Sequence, residues 1–277
     1  MQEITLDLVK SILKTRKKDS SKNDFGHCLL INGNLGKMGA AVISTLGCLR
    51  SGAGLVSVNV PFQERQIVQI AVPEAMIEFR ETKEINYSKF NAIAIGSGFG
   101  IDQESKELLE LILKNVKCPL LLDADALTLI SQSEHLISIP KKTIITPHER
   151  EFDRLFGDHR THEERILSAT KIAFEQDIII VLKSSKTIIT FSNKVFVNTI
   201  GNAGLAKGGS GDALGGIITS FLGQGYNSTD AAILGVYIHS LAADYTLKSQ
   251  SEESMLISDV INNLSKAFNH LHESQKI

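Results

Sequence analysis

The sequence predicts an α/β protein with a largely parallel central sheet, and three observations carry that prediction. Short apolar runs bounded by turn signals recur along most of the chain, as buried strands do. Segments with helical apolar spacing separate them, and this alternation is how parallel strands are connected. Glycine and polar residues gather just after the apolar runs, where open parallel sheets hold their ligands.

In chain order, Ile4, Leu8, Ile12 and Leu13 stand at helical spacing ahead of the basic run Arg16, Lys17 and Lys18. An amphipathic helix is therefore expected within residues 1–20. Strands are predicted at 27–32, 54–60, 91–96, 119–123, 143–146 and 177–182, each an apolar run closed by Gly, Pro, Asn, Asp or a charge. Helices are predicted between and beyond them at 39–50, 63–71, 103–114, 124–130, 149–156 and 162–175. The first of these ends in Arg50-Ser51-Gly52-Ala53-Gly54, a glycine C-cap. Residues 187–191 and 195–198, joined by 192–194, read as an antiparallel hairpin beside the sheet. Three helices follow at 212–222, 229–247 and 257–272, with Asn227 or Ser228 and then Ser258 as caps for the last two. No repeat, low-complexity segment or long Pro/Gly/Ser linker divides the chain, so one domain over 1–277 is expected.

Composition narrows the function classes. The 277 residues are 43% apolar and 22% charged, with a net charge of −2. That balance gives no reason to expect nucleic acid or an acidic membrane surface as a partner. A polyphosphate would have to be held locally, by backbone amides, a few cations and a metal. Cys28, Cys48 and Cys118 are widely spaced and form no CxxC pair, and no HExxH occurs. Reduced thiols are expected, with no disulfide frame and no protein-held metal site. Glu3, Asp7 and Lys10 interrupt the N-terminal apolar positions, and no apolar run approaches the ~20 residues of a membrane span. A cytoplasmic location is the expectation.

The stretch 198–216, NTIGNAGLAKGGSGDALGG, is the most informative. Gly208, Gly209 and Gly211 allow positive φ and bring bare N–H groups close to a ligand. The apolar pairs Ala213/Leu214, Ile217/Ile218 and Phe221/Leu222 then recur at helical spacing. Asp212 thus falls in the first turn of a helix, where free N–H groups and the dipole favour an anion. It is either a carboxylate working beside a phosphate or a helix cap.

Other candidates follow strand ends. Gly36-Lys37-Met38-Gly39-Ala40-Ala41 opens a helix and suits either a phosphate or close helix–sheet packing. Gly96-Ser97-Gly98-Phe99-Gly100 places three glycines in five residues and favours ligand contact. In LLLDADAL, Asp125 reads as a helix cap, whereas Asp123 can hold a substrate hydroxyl or Mg²⁺ through water. His148 in TPHE ends a strand on the same edge. Lys183, Ser184, Ser185, Lys186 and Thr187 form either a polar turn or a nucleotide contact.

Taken in order, GHCLLINGN, GKMGAA, RSGAGLVSV, AIAIGSGFG, LLLDADAL, IITPHEREF, VLKSSKT and NTIGNAGLAKGGSGDALGG resemble the nicotinamide-nucleotide repair dehydratases, over nearly the whole chain after residue 20. The resemblance implies a ribokinase-like, three-layer α/β/α fold. It implies dehydration of the S-form of hydrated NADH or NADPH, driven by ADP or ATP with Mg²⁺, and K⁺ near the glycine-rich loop. The ring hydroxyl would be phosphorylated and phosphate then eliminated. Asp212 would accept the hydroxyl proton. Ala40, Gly98, Gly100, Asp123, His148, Asn202 and Asp212 would contact the hydrated dinucleotide. Lys183, Ser184, Ser185, Lys186, Thr187, Gly209, Ser210 and Gly211 would hold the nucleotide. A homotetramer and a separate epimerase would follow, since the chain before residue 27 leaves no room for an epimerase domain. Ser184, Glu149, Arg150 and Lys207 depart from the usual family residues. Two other readings remain at this stage: a vitamin-precursor kinase of the same fold, acting on a hydroxyethylthiazole or hydroxymethylpyrimidine alcohol, and a non-catalytic nucleotide-binding protein.

Overall fold

The computed structural model describes residues 1–82, 85–133 and 139–273. Strands β1 (Gln2–Glu3), β2 (His27–Ile31), β3 (Leu55–Val60), β4 (Met76–Phe79), β5 (Ala92–Ile95), β6 (Leu120–Leu122), β7 (Ile144–Ile145), β8 (Ile179–Leu182), β9 (Ile188–Phe191) and β10 (Lys194–Val197) form one sheet. Its order is β1-β10-β9-β8-β7-β6-β5-β2-β3-β4. Every described pairing is parallel except those that β9 makes with β8 and β10. The mostly parallel sheet and its one hairpin are as the sequence predicts.

Alternation along the strands builds two cores. Cys28, Leu30, Val56, Val58, Ala92, Ala94 and Leu121 face one layer, while Leu29, Ile31, Ile93, Ile95, Leu120 and Leu122 face the other. The first layer holds α1 (Leu6–Ile12), α2 (Met38–Arg50), α3 (Arg65–Ala71), α8 (Ser210–Gly223), α9 (Ser228–Leu247), α10 (Ile257–Asn262) and α11 (Leu264–Glu273). The second holds α4 (Gln103–Asn115), α5 (Ala124–Gln132), α6 (Glu149–Phe156) and α7 (His162–Gln176). Helix α8 lies over β2, β5 and β6 and packs on α2 so closely that a side chain at Gly216 would collide with the Ser44 carbonyl.

Four expectations are corrected. β1 and the edge strand β4 were not foreseen: β1 is two residues long, and β4 leaves Met76 and Phe79 about two-fifths exposed (40% and 38%), so neither carries a buried-strand pattern. The helix expected over 257–272 breaks at Asn263, whose side-chain amide donates to the Asp259 carbonyl and to Thr246. Ser258 lies inside α10, and the cap belongs to Leu256, whose N–H donates to the Asp259 carboxylate at 3.1 Å. Asn227 does cap α9, accepting from Asp230 N–H at 2.9 Å.

Candidate active site

Five strand ends meet on one edge of the sheet. β2 runs into Asn32-Gly33-Asn34, β5 into Gly96-Ser97-Gly98, β6 into Asp123, β7 into Thr146-Pro147-His148 and β8 into Lys183. The order reverses between β2 and β5, and a crevice opens at such a switch point. The N-terminus of α8 faces this edge. Gly209, the residue before α8, has φ of +94°, a conformation that only glycine adopts without strain.

Asp212 stands in the first turn of α8, half-buried, with Ser97, Asp123 and Lys183 close by. Burial pushes its carboxyl above the ordinary aspartate range. The negative charges of Asp123 and Asp125 push the same way, while Ser97 and Lys183 oppose them. A carboxylate so placed is a proton acceptor of raised basicity beside free helix N–H groups.

Lys183 lies 2.7 Å from Asp123 Oδ1 and 3.9 Å from Glu151 Oε2, with its side chain 20% exposed. Burial works against its charge, but Asp123 and Glu151 outweigh burial and hold the ammonium above the usual lysine value. The strand ends that carry it are locked: Lys183 N–H donates to the Pro147 carbonyl at 2.8 Å, and His148 bridges Lys183 in parallel register. Gly211 roofs the pair, since a Cβ there would stand 3.3 Å from Lys183 Nζ and 3.5 Å from Asp123 Oδ2.

On the β2 side, Gly98 at φ +60° lies against Ala40, whose Cβ would be 3.0 Å from a Cβ at Gly98. Lys37 pairs with Asp125 at 3.2 Å, and Asp125 also accepts the Gly100 N–H at 2.9 Å. Asp125 was expected to cap α5; it instead ties the 96–100 turn to the start of α2. The N-cap position belongs to Asp123, whose carboxylate makes no cap bond. Gly100 is buried with its N–H committed to Asp125, so it shapes the turn and has no free amide to offer.

His148 caps α6. Its Nδ1 accepts from Arg150 and Glu151 N–H at 3.1 and 3.2 Å, and its own N–H donates to Glu151 Oε2 at 2.9 Å. This leaves Nε2 to carry the proton, with the side chain half-exposed at the site. Asn202 accepts from Gly204 N–H and donates to Asp244 at 2.9 Å, so its side chain ties its own loop to α9.

On the other side of Lys183 opens a cavity of about 810 Å³, which includes His148, Ser184, Thr187, Asn202, Ser210 and Gly211 in its lining. Ser184 closes its own turn by donating to the Lys186 carbonyl at 2.7 Å. Lys207 also lines the cavity, but its ammonium is committed to the carbonyls of Glu253 and Met255. Glu149 pairs with His162 at 3.0 Å, and with Arg150 it lines a shallow pocket beside His148, Lys183, Ser184 and Ser185.

Sequence reasoning missed several residues. Ser97 was read only as part of a glycine turn. Glu151 was hidden inside a helix. No motif marks Arg80, which donates to Asn59 Oδ1 and to the Asn59 and Phe99 carbonyls, fixing the 96–100 turn, and burial brings its pKa down to about 10. His239 and Asn198 line the cavity fully buried, and neither His239 Nε2 nor Asn198 Oδ1 has a hydrogen-bond partner among the described residues. Only an unusual histidine within the apolar run of α9 hinted at the first.

Comparison with known proteins fits this geometry. Residues 28–266 match the family described as NAD(P)H-hydrate dehydratase. The ADP-dependent (S)-NAD(P)H-hydrate dehydratase of Enterococcus faecalis is 36% identical over 256 residues, covering 90% of this chain and 87% of that one. A ribokinase-like superfamily protein from the same organism superposes with a TM-score of 0.88 at 31% identity, covering 98% of this chain and 96% of that one. The ADP/ATP-dependent NAD(P)H-hydrate dehydratase of Bacillus subtilis, co-crystallised with ATP/Mg²⁺, gives 0.87 at 28% identity, covering 98% of both chains.

Proposed function

The chain belongs to the NAD(P)H-hydrate dehydratase family, and from that premise we propose that it uses ADP or ATP to dehydrate the S-form of hydrated NADH or NADPH. The observation that carries the reading is Asp212, a carboxylate of raised basicity in the first turn of α8, between the Ala40–Gly98 contact and the large cavity.

In this reading the hydrated nicotinamide lies by Ala40, Gly98 and the half-exposed His148, with its ring hydroxyl toward Asp212. The nucleotide occupies the cavity, its phosphates toward the Gly209–Gly211 amides and the 184–187 turn. Asp212 accepts the hydroxyl proton as the oxygen attacks the terminal phosphoryl group of the nucleotide. An O–P bond forms, the bond to the leaving nucleotide breaks, and with ADP the leaving group is AMP. The amides at the start of α8 hold charge on the transferred group. Phosphate then leaves the ring carbon, helped by the ring nitrogen's electron pair, and loss of a neighbouring C–H proton restores the dihydropyridine.

Among the described residues no cluster of three or more His, Cys, Asp or Glu side chains suits a metal. Asp123 is committed to Lys183. Mg²⁺ is therefore proposed to arrive on the nucleotide phosphates, where it neutralises charge, with no protein cage required. Among the described residues no helix is long and apolar enough to cross a membrane, which accords with the proposed cytoplasmic setting.

The test supplies hydrated NADH with ADP or ATP and Mg²⁺ and follows the absorbance of restored NADH. Asp212→Asn should lose about 10²–10⁴-fold in turnover with the fold retained. No recovery with either nucleotide, together with phosphorylation of a thiazole alcohol, would replace this reading with a kinase.

A further inference from the structure

Lys183 opens the turn expected to hold the nucleotide phosphates and lines the cavity beside it, yet its ammonium is paired with carboxylates. It sits 2.7 Å from Asp123, 3.9 Å from Glu151 and close to Asp212, beneath Gly211. The exposed part of the turn, Ser185 and Lys186, is what remains free to meet phosphate.

We propose that Lys183 and Asp123 form a buried charge pair that positions and tunes Asp212 as the proton acceptor, and that Lys183 is not a phosphate ligand. The proposal rests on the dehydratase reading above and deepens it.

The backbone supports a built feature. Asp123 is 2% exposed, directly follows β6, and makes no cap bond to the helix it precedes. The next residue, Ala124, has φ of +46°, a left-handed conformation unusual for a residue with a Cβ. Such local strain persists where the surroundings enforce it, and it gathers at functional sites. Gly96 accommodates this bend, because a Cβ there would collide with the Asp123 carbonyl. The chain thus aims the Asp123 carboxylate toward Lys183, not along α5.

The charge count gives the pair its effect. Facing Asp212 are Ser97 from the turn after β5, Asp123 and Asp125 around the start of α5, and Lys183 from the end of β8. Asp125 is already balanced by Lys37 of the α2 N-cap and by the Gly100 N–H. Glu151 of α6 faces Lys183. Lys183 is therefore the cation that opposes the neighbouring carboxylates at Asp212. Removing it leaves neighbouring carboxylates uncompensated, and like charges sharing a site favour protonation of one of them. Removing Asp123 does the reverse, because one carboxylate is lost and the freed ammonium is then shared only with Glu151 and Asp212.

The experiment measures kcat/KM for hydrated NADH against pH, at saturating ADP and Mg²⁺, with enzyme-free blanks. Wild type, Lys183→Met, Asp123→Asn, the double variant and Lys183→Arg are compared, so that titration of the nucleotide itself cancels. Lys183→Met should move the acid limb to higher pH by about 1 unit and Asp123→Asn should move it to lower pH. The double variant should return toward wild type, and Lys183→Arg should stay near it. The proposal is overturned if Lys183→Met raises KM for ADP while the limb stays in place, which is the behaviour of a phosphate ligand. It is equally overturned if Asp123→Asn changes only KM for the hydrate. Should circular dichroism show that Lys183→Met does not fold, Asp123→Asn and the neutral double variant decide the matter. A wild-type chain that restores no NADH refutes the dehydratase reading itself; an active wild type with unmoved limbs refutes only the charge pair.

Discussion

Replacing Gly211 with alanine separates the anion seat from the fold that carries it. Gly211 lies in the first turn of α8 and is not among the positive-φ glycines, so alanine fits its backbone and gains about 1 kcal/mol of helix propensity. The opposing cost is steric. The new Cβ would stand 3.3 Å from Lys183 Nζ, tighter than an ordinary contact, and 3.5 Å from Asp123 Oδ2. The ammonium is held at 2.7 Å by Asp123 and must retreat by a few tenths of an ångström. A hydrogen bond to a charged group is worth about 1.5–3 kcal/mol, and only part of it is lost by so small a shift. The two effects nearly cancel, so Tm should stay within about 4 °C of wild type. Turnover should not survive so well. In the proposed mode the transferred phosphoryl lies against Gly211, so a methyl group there displaces it, and a displacement near 1 Å costs about 10²-fold. Thermal unfolding and the rate of NADH restoration at saturating ADP are measured on the same preparation. Full activity with unchanged KM for ADP refutes the claim that nucleotide binds against Gly211. A Tm loss far beyond 4 °C refutes the claim that the ion pair can yield.

Two further substitutions probe the scaffold. Gly216→Ala forces a methyl group into the Ser44 carbonyl where α8 crosses α2; overpacking of this kind costs about 1–3 kcal/mol, so Tm should fall by several degrees, and an unchanged Tm shows that the helices can part freely. His239 is buried with its imidazole pushed down to about 4 by burial. The unfolded chain binds that proton near pH 6.5 and the folded chain resists it until about 4, so stability is full above about 6.5 and declines as pH falls between these values. Urea unfolding of wild type should lose about 2–3 kcal/mol from this group between pH 7 and 4.5. His239→Gln should lose less by that amount, and parallel declines in the two proteins contradict the assignment.

Most of the fold was legible because its determinants are local. Runs such as HCLLI and IIVL read as buried strands, and the turn residues that stop them mark the strand ends. The same locality explains the failures. β4 is an edge strand whose Met76 and Phe79 remain partly exposed, so its sequence carries no buried-strand signal. The break at Asn263 depends on a side chain reaching Thr246 in another helix. Of the candidate site, Asp212, Ala40, Gly98 and His148 were found as motif residues, and the structure brings them to one edge. What their polar groups do was less legible: the capping role expected of Asp125 goes to no side chain, and the Gly100 amide is already spent.

By itself the sequence determined a largely parallel α/β sheet, the edge where chemistry collects, and a carboxylate in the first turn of a helix. Those follow from apolar periodicity, glycine and helix polarity, which act within a few residues. Only the tertiary structure decided which charge meets which. Lys183 and Asp123 are 60 residues apart and Lys37 and Asp125 are 88 apart, and the order of the strands alone puts them in reach. An ammonium in a polar turn looks the same in sequence whether it faces a phosphate or a buried carboxylate. Folding settles the difference by burying Asp123, because a carboxylate removed from water must find a partner.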